Sequence, residues 1–230
     1  MDMNVGYRIY PDFQRPDPAL VELFRGIPSS NIGDNTNRLN CMYQGIRPFN
    51  RLPLLGVAFT VKAPMGDNLI IHRAMDLAKP GDVIVVDGQG ALDRSLAGEI
   101  MITYAAGRGV AGFIFDGAIR DVDGIRDASI PVYAKGVTPQ GPYKHGPGEI
   151  NVPICCGGQV VFPGDILVGD EDGVVVVRPD YARALAQISR TKFDDETRKL
   201  AAMRAGDLGV DAHIAQYGRL LDATGAQVCG

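Results

Sequence analysis

Two continuous apolar runs constrain this chain more than any other feature. VIVVDGQG (83–90) and VAGFIFDG (110–117) are built from branched and aromatic residues and close on Asp and Gly. A strand that is apolar at successive positions is covered on both faces, which is the condition of a parallel strand inside an α/β sheet. The segments around them fit that reading. LLGVAFTVKAP (54–64) is rich in Val, Phe and Thr and stops at a proline, the profile of a strand. DNLIIHRAMDLAKPG (67–81) has helical spacing, with Asp67 near its start and Gly81 just past its end. A second helix is expected over about 98–107. Strand, helix, strand, helix, strand predicts an α/β fold with parallel neighbours.

The flanks differ in texture. DPALVELFRG (17–26) opens on Asp and Pro and closes on Gly, a short capped helix. After Pro131 come short β segments (VYAKGV, QVVF, DILVGD, GVVVVRP) separated by Gly and Pro, and HGPGEINVPICCGG reads as a long loop. PGDVIVVDGQG (80–90) and PGDILVGDEDG (163–173) echo each other too briefly for a repeat architecture, and are expected to be two strands of related geometry. The tail, 180–223, is helical with mixed charge on its outer face. The expected organisation is a single domain over 1–230, its core at about 50–180.

Composition excludes several function classes. The 230 residues hold 23 Lys and Arg against 27 Asp and Glu, a net charge of -4, without the basic stripe that binding a phosphate backbone requires. Nucleic acid is therefore not an expected partner. No stretch approaches 18 consecutive apolar residues and the N-terminus has no secretory pattern, so neither a membrane nor export is expected. Cys41, Cys155, Cys156 and Cys229 form no CxxC pair and read as reduced thiols of a cytoplasmic chain.

Candidate chemistry narrows by elimination. In VVDGQGALD, Gly88 and Gly90 are followed by Asp93 where a dinucleotide or S-adenosylmethionine loop wants Gly or Ala, which argues against a methyltransferase. His72, His145 and His213 lie at no metal-ligand spacing and read as ordinary surface or core histidines. Adjacent Cys155 and Cys156 read as small packing residues, and no nucleophile elbow is present. Two segments remain. Gly98 and Glu99 open the second helix, so the first-turn amides of Ile100 and Met101 are expected to be free to bind a carboxylate or phosphate. GFIFDGAIRDVDGIRD (112–127) places Arg120 and Asp121 just beyond a buried strand. The loops leaving the C-terminal ends of neighbouring parallel strands share one edge, so the two segments should meet in one cleft. One Asp suffices there for a hard divalent cation such as Mg²⁺, which keeps several waters.

At these residues the sequence resembles the family that contains 4-hydroxy-4-methyl-2-oxoglutarate aldolase and the protein regulators of ribonuclease E activity. The shared signature is an acidic residue, then twenty residues (100–119), then Arg120-Asp121, with VVDGQG, FDGAIRDVDG, INVPICCGGQVVFPGD and GDEDGVVVVRP around it. The resemblance implies a three-layer β/β/α swivelling-type RraA-like domain with C-terminal helices, assembled as a homotrimer or homohexamer. It implies a pyruvate aldolase dependent on Mg²⁺ or Mn²⁺ that cleaves 4-hydroxy-2-oxo acids and decarboxylates oxaloacetate. The other branch consists of non-catalytic regulators that bind a ribonuclease.

Residue by residue, the resemblance makes Asp121 the metal ligand and Arg120 the contact to the keto oxygen of a small anionic 2-oxo acid. Gly98, Glu99, Ile100 and Met101 would cradle its pyruvyl group, with Asn68 and a neighbouring subunit's counterpart of Glu196 nearby. No side chain is implied as the base, and a cation-bound water beside Arg120 is the expected proton acceptor. Two positions depart from the family pattern. Glu99 stands where the aldolases have Asp, and Gly124 where members carry an acid, with Asp123 a candidate replacement.

Overall fold

The computed structural model describes residues 4–226. In chain order its elements are α1 (Pro18–Glu22), α2 (Ser29–Asp34), β1 (Arg47–Pro48), β2 (Leu54–Lys62), α3 (Leu69–Leu77) and β3 (Asp82–Asp87). They continue with β4 (Ser95–Ala97), α4 (Glu99–Gly107), β5 (Gly112–Ile119), α5 (Val122–Arg126), β6 (Val132–Val137), β7 (Glu149–Ile150) and β8 (Ile154–Cys156). Last come β9 (Gln159–Val161), β10 (Ile166–Asp170), β11 (Gly173–Val177), α6 (Pro179–Arg204) and α7 (Val210–Thr224).

The parallel core expected from the apolar runs is present. β2, β3, β5 and β6 are successive parallel neighbours in a sheet of order β1-β6-β5-β3-β2-β10-β11. The two PGD segments lead into β3 and β10, which flank β2 on either side, the first parallel to it and the second antiparallel. Every residue of β3 and β5 is buried.

Side-chain alternation splits this buried set into two layers. Ile84, Val86, Phe113 and Phe115 pack with Ile71, Ala74 and Met75 of α3 and with Ile102 and Ala105 of α4. Val83, Val85 and Ile114 face the opposite way, onto Ile154, Cys156 and Val161 of the β8–β9 hairpin and Val174 and Val176 of β11. Helices, sheet and a second β layer give the β/β/α order. Burying each such Ile, Val or Phe contributes about 1.5–3 kcal/mol, so no metal is needed to hold this core.

Several segments differ from the sequence reading. HGPGEINVPICCGG is more than a loop, because it contributes β7 to the edge of β2 and β8 to the hairpin. Residues after Asp121 form the single helical turn α5, an element not expected from the sequence. Helix α1 is shorter than 17–26. Asp17 caps it by accepting from the Ala19 N–H at 2.8 Å, and the helix ends at Glu22.

The chain divides into two compact units, Met1–Arg190 and Thr191–Gly230. The second unit holds the end of α6 and all of α7, and α7 buries none of its residues. Among the described residues no helix is long and apolar enough to cross a membrane. Cys41, Cys155 and Cys156 are free thiols, and Cys229 lies outside the described residues.

Candidate active site

The two segments singled out in the sequence meet through β4. This short strand pairs in parallel with the end of β5, and the Arg120 N–H donates to the Ala97 carbonyl at 3.0 Å. The residues that follow each strand, Gly98 and Asp121, are thereby brought face to face. A side chain at 98 has no room. A β-carbon there would overlap Asp121 Oδ2 and press on the Arg120 side chain, so only glycine lets the carboxylate close on the start of α4.

Asp121 itself has φ +58 and ψ +42. This left-handed backbone costs a non-glycine residue about 1–2 kcal/mol, and Asp tolerates it better than most. The conformation aims the side chain back at α4, where Oδ2 accepts the Glu99 N–H at 3.3 Å and lies 3.5 Å from Arg120 Nε. Oδ1 receives no hydrogen bond among the described residues. Both side chains of the Arg120–Asp121 pair are 43% exposed, so water screens the pair and it adds little to stability.

A cavity of about 170 Å³ opens beside this pair. Gly98, Ile100, Met101, Arg120 and Asp121 line one part of it, and Asn68, His72 and Lys144 contribute polar groups from elsewhere. Glu99 is absent from the wall. Its carboxyl group lies over Gly124, filling the space that a β-carbon at 124 would take. The two departures from the family pattern are therefore one arrangement, in which the longer acid at 99 fits because residue 124 has no side chain. Asp123 does not stand in for it. That side chain is 96% exposed and ion-paired with Arg126 at 2.6 Å.

The anion-binding amides are fewer than the sequence suggested. The Met101 N–H closes a tight turn onto the Gly98 carbonyl at 3.1 Å, and the Glu99 N–H is taken by Asp121. Only the Ile100 N–H is left without an acceptor among the described residues, as expected for a first-turn donor. Ile100 points its side chain outward, whereas that of Met101 is buried with its sulfur 3.3 Å from Asn68 Nδ2.

His72, Ser95 and Lys144 were not among the expected site residues. Lys144 comes from the loop after β6, and long-range contacts hold that loop in place. Asp67 Oδ2 accepts the His145 and Gly146 N–H groups at 2.6 and 3.1 Å. Arg94 donates to the Gly141 carbonyl at 2.9 Å and to Tyr143 Oη at 2.8 Å. Asp67 Oδ1 also accepts from the Leu69 N–H at 2.9 Å, so one carboxylate anchors both the loop and the start of α3. The only sequence signal for Lys144 is a lone cation in a Gly/Pro-rich loop.

Among the described residues no group of three or more His, Cys, Asp and Glu side chains could hold a metal ion. Asp121 is a single carboxylate with one oxygen free. That suits a hard cation that keeps most of its water, and is too little for a closed all-protein site.

Fold and cavity together define a mixed α/β protein with a small cleft, carrying two cations and one available carboxylate, at the C-terminal ends of parallel strands. The chain belongs to the RraA-like family (Aldolase/RraA), whose model matches residues 29–176. It is 41% identical over 183 residues to a protein of Halalkalibacterium halodurans that carries the provisional name 4-hydroxy-4-methyl-2-oxoglutarate aldolase, covering 79% of this chain and 87% of the relative. Among solved structures, a protein of unassigned function from Pseudomonas syringae pv. tomato superposes with a TM-score of 0.77 at 25% identity, over 87% of this chain and all of that one. Streptomyces coelicolor RraAS2, described as an unusual member of the RNase ES inhibitor RraA protein family, gives 0.70 at 27% identity, over 83% of this chain and all of RraAS2.

Proposed function

We propose that this protein is a cytoplasmic pyruvate aldolase dependent on Mg²⁺ or Mn²⁺. It cleaves 4-hydroxy-2-oxo acids of the 4-hydroxy-4-methyl-2-oxoglutarate type and also decarboxylates oxaloacetate. The observation that carries this reading is the Gly98–Asp121 contact, which holds a carboxylate with a free oxygen beside Arg120 at the edge of a small cavity.

Both reactions break a carbon–carbon bond and leave pyruvate enolate, so the site must stabilise negative charge on the keto oxygen. Arg120 supplies a fixed cation for that oxygen, and Lys144 adds positive charge that favours a dianionic substrate. The Ile100 N–H, at the positive end of the α4 dipole, is available to the substrate carboxylate. Asp121 Oδ1 is the atom that would hold a divalent cation, and a cation there would act as a Lewis acid toward the substrate's oxygens. Gly98 keeps Asp121 and Arg120 at their spacing. Assembly as a homotrimer or homohexamer belongs to the same reading, and the apolar residues of α7 left open in the single chain, among them Ile214, Leu220 and Leu221, support it.

The second reading is a non-catalytic regulator that binds a ribonuclease, and the likeness to RraAS2 favours it. One assay separates them: pyruvate release from oxaloacetate and from 4-hydroxy-4-methyl-2-oxoglutarate with Mg²⁺, with Mn²⁺ and with chelator. The aldolase releases pyruvate from both with either metal and from neither with chelator. No release under any condition supports the regulator.

A further inference from the structure

Aldol cleavage needs a group to take the proton of the substrate hydroxyl, and the residues named so far offer none. Arg120 and Lys144 are cations, and Asp121 faces Arg120. Ser95 donates its hydroxyl hydrogen to the Gln140 carbonyl at 3.0 Å, and Glu99 lies off the cavity over Gly124. One ionisable side chain of the cavity wall remains, His72 of α3.

Its surroundings single it out. Among the described residues just three buried side-chain nitrogen or oxygen atoms lack any hydrogen-bond partner: Asn68 Oδ1, His72 Nε2 and Asn151 Oδ1. Asn68 and His72, the residues that carry the first two, both line this cavity, one at the N-cap of α3 and the other four residues on. Leaving a buried polar atom unpaired costs about 1–3 kcal/mol, and two such atoms at one cavity mark a place where a ligand supplies the missing partners. Asn68 is held rigidly, its Nδ2 donating to the Leu96 carbonyl at 3.0 Å, so its oxygen is a fixed acceptor. It has no basicity, whereas His72 does.

We propose that His72 Nε2 accepts the proton of the substrate hydroxyl during aldol cleavage, with Asn68 Oδ1 accepting a hydrogen bond in the same subsite. The inference rests on the aldolase reading above, and gives His72 the role that the sequence alone leaves to a cation-bound water. In the step, Nε2 takes the hydroxyl proton, the C3–C4 bond breaks, and its electron pair becomes the C2–C3 double bond of the enolate as the hydroxyl carbon becomes a carbonyl. Return of one proton to C3 gives pyruvate, so no proton is gained or lost overall.

The imidazole is suited to this. Burial, and then the charge of Lys144, lower its pKa from the ordinary histidine value, while Asp76 opposes them, and the net direction favours the neutral ring that can accept a proton. The other charged or titratable groups of the two cavities that His72 lines are Tyr7, Arg73 on its own helix, His145 on the loop after β6, and Arg120 and Asp121 just after β5.

Oxaloacetate decarboxylation has no hydroxyl proton to remove, and it supplies the control. The experiment compares both activities in the wild-type protein, His72→Asn and His72→Gln, each with Mg²⁺ and with a melting curve. Loss of a general base costs typically 10²–10⁴-fold, so the ratio of cleavage to decarboxylation should fall at least tenfold in both variants. Wild-type cleavage should also decline as pH falls through the His72 pKa, below about 6.5, and the variants should lose that acid limb. In the wild-type protein, adding pyruvate should shift the His72 imidazole ¹⁵N resonances, a readout that needs no folded variant.

Equal loss of both activities in a wild-type background that is active, or imidazole resonances unmoved by pyruvate, overturns the assignment to His72 alone. A wild-type protein that releases pyruvate from neither substrate overturns the aldolase reading beneath it.

Discussion

Asp116 and Asp121 leave the same strand within one short segment, yet they are put to opposite uses. Asp116 is 9% exposed and fully engaged: Oδ2 accepts the Gly157 N–H at 3.0 Å, while Oδ1 lies 3.4 Å from Tyr43 Oη and 3.7 Å from Lys135 Nζ. It ties β5 to β6 and to the turn of the β8–β9 hairpin. Asp121 is half-exposed, sits on a left-handed backbone and keeps one oxygen free. An aspartate's availability here depends on how many donors the fold aims at it, and not on its distance from the sheet. A carboxylate with all its partners in place stabilises, and one with a partner missing can bind.

This contrast can be broken by substitution, and the largest effect is expected at Asp121. Asp121→Ala should abolish metal-dependent pyruvate release and at the same time leave the melting temperature unchanged or raised, since a strained and half-exposed side chain is removed. Asp116→Ala should do the reverse. It leaves the buried Gly157 N–H without its acceptor and so costs about 1–3 kcal/mol of stability, measured by urea unfolding, with activity lost only as the folded fraction falls.

Gly98→Ala is intermediate. The added methyl overlaps Asp121 Oδ2, and displacing a reacting group by an ångström can cost on the order of 10²-fold, so kcat should fall while the fold survives. The smallest effect is expected at Gly124→Ala, which pushes the Glu99 carboxyl aside without touching the cavity wall. It should change stability by about 1 kcal/mol or less and alter pyruvate release only slightly. A large loss of activity there would mean that Glu99 belongs to the site after all.

How much of this was legible in the sequence depends on the range of the interactions involved. The parallel strands were, because β3 and β5 each carry a continuous apolar run of the kind that a strand covered on both faces requires, and every residue of both is buried. The meeting of Gly98 with Arg120 and Asp121 followed from that, since strand ends at one edge of a parallel sheet converge. Lys144 was not legible: its position depends on Asp67 and Arg94 gripping a loop far away in sequence, and no periodicity encodes such contacts. His72 looks like an ordinary histidine in the sequence because its spacing matches no ligand motif, and only the burial of Nε2 without a partner sets it apart. The amide of Met101 was overcounted because helix capping patterns do not foretell a tight first turn onto Gly98. The pairing of Glu99 with Gly124 was visible as two separate oddities, and the α4–α5 approach made them one.

Both proposed reactions depend on Arg120 to stabilise the charge that develops when oxaloacetate or a 4-hydroxy-2-oxo acid loses its carbon–carbon bond. The direct measurement is the steady-state rate of pyruvate release from oxaloacetate with saturating Mg²⁺ or Mn²⁺, for the wild-type protein and Arg120→Ala. A metal-dependent rate is expected in the wild type, falling about 10²–10³-fold in the variant, the scale of a lost oxyanion donor. A folded Arg120→Ala protein that retains the full metal-dependent rate would contradict it.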